Sequence, residues 1–221
     1  MIYMADTADV SVLKNLYDFF PLQGVTTNPT IIKNSGTKLS EAVGGILKVI
    51  GQGMIHMQVI SEMADDMVKE AKAYKSYFDL GDNFYVKIPV TRQGYKAMKI
   101  LSDAGINVTA TAVFTQQQAL IASKAGASFV APYVSRLDNI SSHGIDVVKD
   151  IVKNMTDYNL PTKVLAASFK TVDQIYRVCM CDVHCVTVGP ELLEKLITHP
   201  MTDIAVKTFK EDSEGFYDIP F

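Results

Sequence analysis

Residues 85–91 read Tyr-Val-Lys-Ile-Pro-Val-Thr, a short β-prone run that carries one lysine among apolar neighbours. A helical pattern follows at Arg92–Ala104, and Gly105 comes directly after it, as is usual just past the end of a helix. A strand with apolar residues at successive positions is typical of a parallel sheet that is covered on both faces. The segment therefore predicts a strand–helix unit of an α/β protein, with Lys87 in the strand.

The same layout repeats along the whole chain. The β-prone runs, most of them rich in Val, Ile and Ala, are Ile2–Ala5, Gly24–Thr27, Ile55–Ile60, Phe84–Pro89, Asn107–Val113, Ser128–Pro132, Lys163–Ala167 and Cys185–Val188. The helical patterns between and after them are Val10–Leu16, Glu62–Tyr77, Arg92–Ala104, Gln116–Ala125, Gly144–Met155, Val172–Cys179, Glu191–Thr198 and Thr202–Asp212. Strands that alternate with helices in this way predict a (β/α)₈ TIM barrel.

An open, doubly wound sheet is the alternative fold. It prefers a glycine-rich phosphate loop after its first strand, whereas this chain has Asp-Thr-Ala-Asp at residues 6–9. No linker, low-complexity stretch or shift in composition marks a domain boundary. We therefore expect a single domain over residues 1–221, with an extra C-terminal helix and tail.

The composition argues against several classes of function. The 21 basic and 24 acidic residues give a formal charge of −3, so no nucleic-acid partner is indicated. No apolar run approaches the roughly 20 residues that span a bilayer, so no membrane segment is indicated. Residues 1–6 lack the basic and apolar regions of a signal peptide, and we expect a cytoplasmic protein.

Cys179, Cys181, His184 and Cys185 lie close together and invite a metal-binding interpretation. Zinc ligands normally come from two separated pairs, and alternation along a strand would send neighbouring side chains to opposite faces. We therefore expect structural cysteines, with neither a metal site nor a disulfide framework.

Lys87 is the first candidate for chemistry. A lysine buried among Val and Ile is costly to keep charged, so its pKa falls and the neutral amine becomes a nucleophile. Neutral amines condense with carbonyl groups to Schiff bases, which accept electrons when C–C bonds form or break. The alternative is a strand-end lysine whose amine reaches solvent.

In a barrel of this type, function lies at the carboxyl ends of the strands. Read in order, these ends carry polar side chains: Asp6, Thr26, Asn28, Gln58, Lys87, Thr111, Tyr133, Arg136, Ser168 and Lys170. Helix N-caps also lie at strand ends, so Thr7, Thr26 and Ser168 have a capping alternative. Capping does not explain why so many polar groups surround one lysine in an apolar strand.

Three uncharged residues and one carboxylate suggest roles in proton transfer. Asp6 is the candidate general acid/base, with a helix cap or an ion pair to Lys87 as its alternatives. Gln58, Thr111 and Tyr133 are donors and acceptors that can position a water molecule, although a buried Tyr133 also has an ordinary packing interpretation.

Arg136, Ser168 and Lys170 combine a forked donor, a hydroxyl and a point charge, which suits a phosphate group. Arg136 has an alternative as a surface ion pair with Asp138. The four histidines, His56, His143, His184 and His199, do not fall at evident strand ends, so histidine-based acid/base chemistry is not indicated.

Five segments, taken in their order along the chain, resemble the transaldolase superfamily and within it the small bacterial fructose-6-phosphate aldolases. They are residues 6–9 (Asp-Thr-Ala-Asp), 24–30 (Gly-Val-Thr-Thr-Asn-Pro-Thr), 86–91 (Val-Lys-Ile-Pro-Val-Thr), 130–136 (Val-Ala-Pro-Tyr-Val-Ser-Arg) and 163–170 (Lys-Val-Leu-Ala-Ala-Ser-Phe-Lys). The second and third are highly specific when they occur together. The resemblance spans almost the whole chain.

The resemblance implies a (β/α)₈ barrel and a class I aldolase mechanism that uses no metal and no cofactor. It implies an iminium at Lys87, handling of the hydroxyl proton by Asp6, and contacts from Asn28 and Ser168 to substrate hydroxyls. From its place at a strand end, we also expect Thr26 to bind the substrate. The expected ligands are a sugar phosphate and a small ketone donor. Relatives of this kind assemble as homodecamers of two pentameric rings, in which C-terminal helices reach across subunits.

Two positions divide the superfamily. Transaldolases carry Glu where this chain has Gln58 and Phe where it has Tyr133, whereas the fructose-6-phosphate aldolases carry Gln and Tyr, as here. A Gln–Thr–Tyr set holds a water that protonates the enamine and releases dihydroxyacetone. The chain departs from the aldolase pattern at Phe114, where those aldolases have Tyr, and this difference bears on donor or acceptor preference.

The leading hypothesis is reversible cleavage of fructose 6-phosphate to dihydroxyacetone and glyceraldehyde 3-phosphate. A transaldolase that transfers the dihydroxyacetone unit between sugar phosphates is the second hypothesis, and a catalytically silent scaffold is the third. The aromatic tail at residues 215–221 follows the last helix and packs either on its own barrel or, as we expect, on a neighbouring subunit.

Overall fold

Parallel strands close into a barrel in the order in which they occur along the chain. The computed structural model describes residues 1–219, so Pro220 and Phe221 of the predicted tail lie outside the described residues. The strands in residues 1–219 are β1 (Ile2–Asp6), β2 (Gly24–Thr26), β3 (Met54–Gln58), β4 (Phe84–Pro89), β5 (Asn107–Val113), β6 (Phe129–Pro132), β7 (Lys163–Ala166) and β8 (Cys185–Val188). The last strand pairs with the first, with Ile2 beside Cys185. The predicted TIM barrel is confirmed.

Helices connect the strands and cover the barrel from outside. They are α1 (Val10–Phe19), α2 (Pro29–Ser35), α3 (Leu39–Ile50), α4 (Ala64–Tyr77), α5 (Arg92–Asp103), α6 (Gln116–Lys124), α7 (Val134–Asp138), α8 (Gly144–Asp157), α9 (Val172–Cys179), α10 (Pro190–Ile197) and α11 (Pro200–Ser213). Within residues 1–219, none of them combines the length and the apolarity that crossing a bilayer requires.

The third strand differs from the predicted Ile55–Ile60. It begins at Met54 and ends at Gln58, because the backbone N–H groups of Ile60 and Ser61 donate to the carboxylate of Glu70 in α4. A carboxylate twelve residues along the chain thus ends the strand pairing and turns the chain out of the sheet.

The segment between β2 and β3 contains two helices that the sequence patterns did not predict. Asn28 caps α2 by accepting a hydrogen bond from the N–H of Ile31. Helix α3 contains Gly45, a poor helix former, and a side chain at that position would lie 2.5 Å from a methyl group of Val10 in α1. The glycine that obscures the helical pattern is therefore what allows α1 and α3 to pack closely.

The capping alternative for Thr7, Thr26 and Ser168 is wrong. The caps that follow β1, β2 and β7 are Asp9, Asn28 and Thr171, two or three residues farther along. The three hydroxyl groups are therefore not used as helix N-caps.

The interior of the barrel is divided into an apolar lower part and a polar upper part. An apolar plug, defined as Met4, Phe129, Leu165 and Cys185, fills the end at which the strands begin. Along each strand, inward-facing residues alternate with residues that pack under the helices. Asp6 and Lys87 share this inward orientation with Met4 and Tyr85, and both lie above the plug.

Helix α11 follows the last barrel unit and lies on the outside of the molecule. Its residues all belong to the described part of the chain, and none of them is buried. Ile204, Val206 and Phe209 each expose more than half of their surface. The helix therefore presents an uncovered apolar surface.

Candidate active site

A cavity of about 230 Å³ opens at the carboxyl ends of the strands. It is lined by eight of the predicted site residues: Asp6, Thr26, Asn28, Lys87, Tyr133, Arg136, Ser168 and Lys170. These residues lie at the ends of β1, β2 and β4 or in the segments that follow β2, β6 and β7. The cavity thus brings these eight polar residues together around Lys87, whereas Gln58 and Thr111 are not part of its lining.

Lys87 extends from β4 into the cavity with only 5% of its surface exposed. Its Nζ donates a hydrogen bond to the carbonyl oxygen of Thr27 at 2.7 Å. Burial lowers the pKa of the Lys87 amine, and the negative charge of Asp6 opposes that shift without cancelling it. The alternative of a lysine that reaches solvent is wrong, because the amine is enclosed by the barrel.

Asp6 accepts a hydrogen bond from a chain of hydroxyl groups. Thr26 Oγ1 donates to Asp6 Oδ1 at 2.5 Å, and Thr26 Oγ1 lies 2.6 Å from Thr187 Oγ1. Because a hydroxyl has one proton to donate, Thr187 must donate to Thr26. Burial raises the pKa of Asp6, whereas the charge of Lys87 and the Thr26 hydrogen bond act to lower it. The carboxylate is thus held in one orientation beside the amine.

Asp6 and Lys87 are neighbours without being an ion pair. Among the salt bridges of residues 1–219, all joining groups within 4.0 Å, none involves either residue. The helix cap at this point is Asp9. Neither alternative for Asp6, cap or direct ion pair, is therefore observed in the described chain.

Thr187 is a site residue that the sequence analysis missed. It is almost fully buried in β8 and lines the cavity beside Thr26. The sequence did contain a signal for it. Thr187 lies two residues after Cys185, so both side chains face the inside of the barrel, and it is a polar residue within an apolar strand.

Tyr133 and Thr111 form a hydrogen-bonded pair at the side of the cavity. Tyr133 Oη lies 2.9 Å from Thr111 Oγ1, and the Tyr133 ring meets the ring of Phe114 edge to face at 5.6 Å. Ala112 adopts a left-handed φ of 57°, and the pairing of β5 with β6 shifts register there. Thr111 shares the inward orientation of Thr109 by strand alternation, and the bulge after it changes the direction of the chain toward Phe114.

Gln58 stands apart from that pair. It lines a neighbouring groove with Pro29 and Pro89, and within residues 1–219 no hydrogen bond joins it to Thr111 or Tyr133. The predicted Gln–Thr–Tyr set is therefore brought together only in part. A water or a substrate atom would have to link Gln58 to the other two.

Arg136, Ser168 and Lys170 lie at the mouth of the cavity. The Arg136 guanidinium is 4.9 Å from the centre of the Tyr133 ring, and Asp138 instead accepts hydrogen bonds from Gly144 and Gln174. The predicted alternative of an Arg136–Asp138 ion pair is thus not observed among the described residues. Two cations beside a hydroxyl can bind a phosphate group.

Local backbone structure sets the positions of Ser168 and Asn28 at the mouth of the cavity. Ser168 has a left-handed φ of 62°, and its carbonyl oxygen accepts a hydrogen bond from the N–H of Ser135. Asn28 uses its side-chain oxygen as the cap of α2, which leaves its amide nitrogen to donate into the cavity.

His56 is a second residue that the sequence analysis did not place. It lies fully buried inside the barrel, and its ring stacks on Tyr85 with the centres 4.6 Å apart. Burial and the positive charge of Lys87 lower the pKa of His56 to about 3, so the ring is neutral. In residues 1–219, no group of three or more His, Cys, Asp or Glu side chains is arranged to hold a metal ion.

The sequence is similar to a known enzyme family over nearly its whole length. A family model described as transaldolase/fructose-6-phosphate aldolase matches residues 3–218. A protein of Hydrogenobaculum sp. named probable transaldolase is 37% identical over 221 residues, the full length of both chains. A probable transaldolase of Symbiobacterium thermophilum is 35% identical over 95% of each chain.

A solved structure with a similar fold is that of a mandelate oxidase mutant carrying a monooxide FMN adduct. The TM-score is 0.58 at 11% sequence identity, and the match covers 86% of this chain but 64% of the other. At that identity the likeness concerns the barrel fold alone.

Proposed function

The chain belongs to the transaldolase/fructose-6-phosphate aldolase family, and from this premise we propose that it is a Schiff-base aldolase that reversibly cleaves fructose 6-phosphate to dihydroxyacetone and glyceraldehyde 3-phosphate. The observation that carries the proposal is the buried Lys87 amine, whose pKa is lowered and whose Nζ lies in a cavity ringed by hydroxyl groups and a carboxylate. A neutral amine in such a place can attack a ketone.

The first step joins Lys87 to the ketose. The Nζ lone pair attacks the C2 carbonyl carbon, a proton reaches the oxygen, and loss of water leaves an iminium. The iminium nitrogen then withdraws electrons from the adjacent carbons. Because burial lowers the pKa of the Lys87 amine, removing its proton before the attack costs less free energy than it would in water.

The second step breaks the C3–C4 bond. Asp6 removes the proton of the C4 hydroxyl, the aldehyde forms at C4, and the bonding electrons move toward the iminium to give an enamine. The hydrogen bond from Thr26 orients the Asp6 carboxylate for this transfer. Protonation of the enamine carbon and hydrolysis of the new iminium release dihydroxyacetone and restore the free amine.

The phosphorylated end of the substrate fits the mouth of the cavity. Arg136 and Lys170 are exposed cations there, and Ser168 adds a hydroxyl donor. A substrate with its ketone at Lys87 and its phosphate at this mouth would span the cavity from its deep end to its opening.

Transaldolase is the second candidate function. It uses the same lysine and carboxylate but transfers the enamine to an acceptor aldehyde before protonation can occur. The relatives named probable transaldolase favour it. The Tyr133–Thr111 hydroxyl pair favours the aldolase, because it offers a proton source beside the cavity.

We expect the purified protein to release dihydroxyacetone from fructose 6-phosphate when no acceptor aldehyde is present. In Tyr133→Phe, this release should fall by about 10²-fold, because the proton donor is removed. Transfer to erythrose 4-phosphate should fall much less. Product analysis with and without the acceptor measures both rates.

Tyr95→Phe is the matched control for that substitution. The Tyr95 hydroxyl lies away from the cavity, at 3.4 Å from the carbonyl of Gln118, so its loss should leave the ratio of release to transfer unchanged. A wild-type protein that releases product only when erythrose 4-phosphate is present would be a transaldolase.

We further propose that the protein is a homo-oligomer, with a decamer of two pentamers as the expected state. The uncovered apolar surface of α11 supports this, since such surfaces on helices normally pack against another chain. The double substitution Ile204→Glu and Phe209→Glu should convert the assembly to smaller particles. Lys210→Glu changes the net charge equally on the same helix without removing an apolar side chain, and it should leave the assembly intact.

Light scattering coupled to size-exclusion chromatography measures the mass of each variant. A wild-type protein that elutes as a single chain would contradict the proposal of an oligomer. A Lys210→Glu variant that dissociates as far as the double variant would show that charge, and not the apolar surface, controls assembly.

A further inference from the structure

A hydrogen bond crosses the inner face of β4 directly beneath Lys87. His56 Nδ1 on β3 lies 2.8 Å from Thr109 Oγ1 on β5, and both residues are fully buried. Because β4 lies between β3 and β5, the bond must pass over the inner side of β4.

The strand register fixes where the crossing occurs. His56 is paired with Tyr85, and Thr109 is paired with Lys87, so the bond runs diagonally between the side chains of Tyr85 and Lys87. The His56 ring stacks on Tyr85 at an interplanar angle of 11° and meets Phe129 edge to face at 5.2 Å. The bridge thus has packed aromatic rings below it and the lysine side chain above it.

His56 also reaches the amine through the main chain. Its carbonyl oxygen accepts hydrogen bonds from the N–H of Thr27 at 2.9 Å and from the Thr27 hydroxyl at 3.3 Å. The carbonyl of Thr27 in turn accepts the hydrogen bond from Lys87 Nζ at 2.7 Å. The main chain of His56 therefore bonds to Thr27, the hydrogen-bond partner of the amine, while its ring lies on the inner side of β4 below Lys87.

We propose that the His56–Thr109 bridge is a positioning pair that supports Lys87 from below and holds its amine at the cavity, so that the amine meets the ketone carbonyl in one orientation. This inference rests on the proposed Schiff-base function of Lys87. A lysine side chain has many rotamers, and confining it in advance lowers the entropic cost of the reaction.

Burying a histidine at position 56 has a free-energy cost that its packing alone does not explain. Its Nε2 atom is buried and has no hydrogen-bond partner in residues 1–219, whereas a phenylalanine would fill the same space among aromatic rings without that cost. What phenylalanine lacks is the directional bond to Thr109. The neutral ring also adds no positive charge beside the amine.

Borohydride trapping tests the positioning role. In the presence of saturating dihydroxyacetone, the intact protein should be reductively labelled at Lys87, and the rate of labelling reports formation of the Schiff base. His56→Phe and Thr109→Val should each slow this rate and kcat by about tenfold with little change in KM. The double variant should be no slower than the slower single variant, because both variants break the same bond.

His56→Asn is the conservative variant, since an asparagine amide can occupy the place of Nδ1, and it should recover most of the rate. Thr162→Val is the matched control. It removes a buried hydroxyl that bonds to Ser123 and to the Ala127 carbonyl, far from the cavity, and should lower the melting temperature without slowing the labelling.

The possible failures are distinguishable. If the wild-type protein is not labelled at Lys87, the proposed function fails and the inference fails with it. If the wild type is labelled and folded His56→Phe and Thr109→Val are labelled at the same rate, only the positioning role is overturned. Losses that simply add in the double variant would also overturn it.

Discussion

Replacing Lys87 with methionine should reduce cleavage of fructose 6-phosphate by at least about 10⁴-fold, because methionine has no amine to form the Schiff base. The two side chains are similar in length and volume, so the cavity should keep its shape. Borohydride reduction in the presence of dihydroxyacetone should add one three-carbon unit to the wild-type protein and none to the variant. Mass spectrometry of the intact chain and of the peptide that contains residue 87 measures this.

The same substitution should not weaken the fold. Burial that lowers the pKa of Lys87 is a cost of keeping a cation inside the barrel, and methionine removes that cost. We therefore expect a melting temperature equal to or above that of the wild type. Lys96→Met, at an exposed lysine of α5, is the control and should retain full activity. A label found on another lysine in the wild type would refute the assignment of Lys87.

Replacing Asp6 with asparagine should slow cleavage by roughly 10²- to 10⁴-fold, because the group that accepts the hydroxyl proton is lost. Asparagine can still accept the hydrogen bond from Thr26, so the hydroxyl chain with Thr187 should persist. Asp9→Asn is the matched control, since asparagine caps a helix as well as aspartate does. The control should cleave at the wild-type rate.

The pH dependence of labelling separates the role of Asp6 from that of Lys87. The negative charge of Asp6 stabilises the protonated amine and so raises the pKa of Lys87. Without that charge the pKa falls further, and the acid limb of the borohydride-labelling profile should move to lower pH. If Asp6→Asn is still labelled efficiently but no longer cleaves the substrate, the proton transfer is assigned to Asp6. An unshifted acid limb would contradict the electrostatic coupling of the two residues.

Much of the fold could be predicted because each strand–helix unit carries its own local signals. The predicted bounds of β4, β5 and β8 agree with the structure. Strand β4 ends at Pro89 and β8 is followed by Gly189, which are both local signals for the end of a strand. Helix α3 could not be predicted as readily, because Gly45 is favourable only where Val10 packs against it. The end of β3 likewise depends on Glu70, which is distant in sequence.

In the candidate site, too, some residues could be predicted from the sequence and others could not. Strand ends such as Asp6, Lys87 and Tyr133 could be identified because parallel strands bring their carboxyl ends to one face. The partners that orient them could not, because the hydrogen bond between Thr26 on β2 and Thr187 on β8 crosses the inner side of β1, which neighbours β8 only through the closure of the barrel. The role of Gln58 stays a prediction, since the residue lines a neighbouring groove and not the cavity itself.

The apolar plug determines how molecules can enter and leave the cavity. Leu165 belongs both to the plug and to the wall of the cavity, so the lower end is closed directly beneath the reacting groups. Whatever reaches Lys87 must come and go by the same opening. Under the proposed function, a fragment bonded to the lysine is the deepest occupant, and the other half of the cleaved sugar has to depart first. Because the chamber has a dead end, the molecule that enters last must leave first. The order of departure is therefore imposed by the shape of the barrel and does not depend on which product binds more tightly.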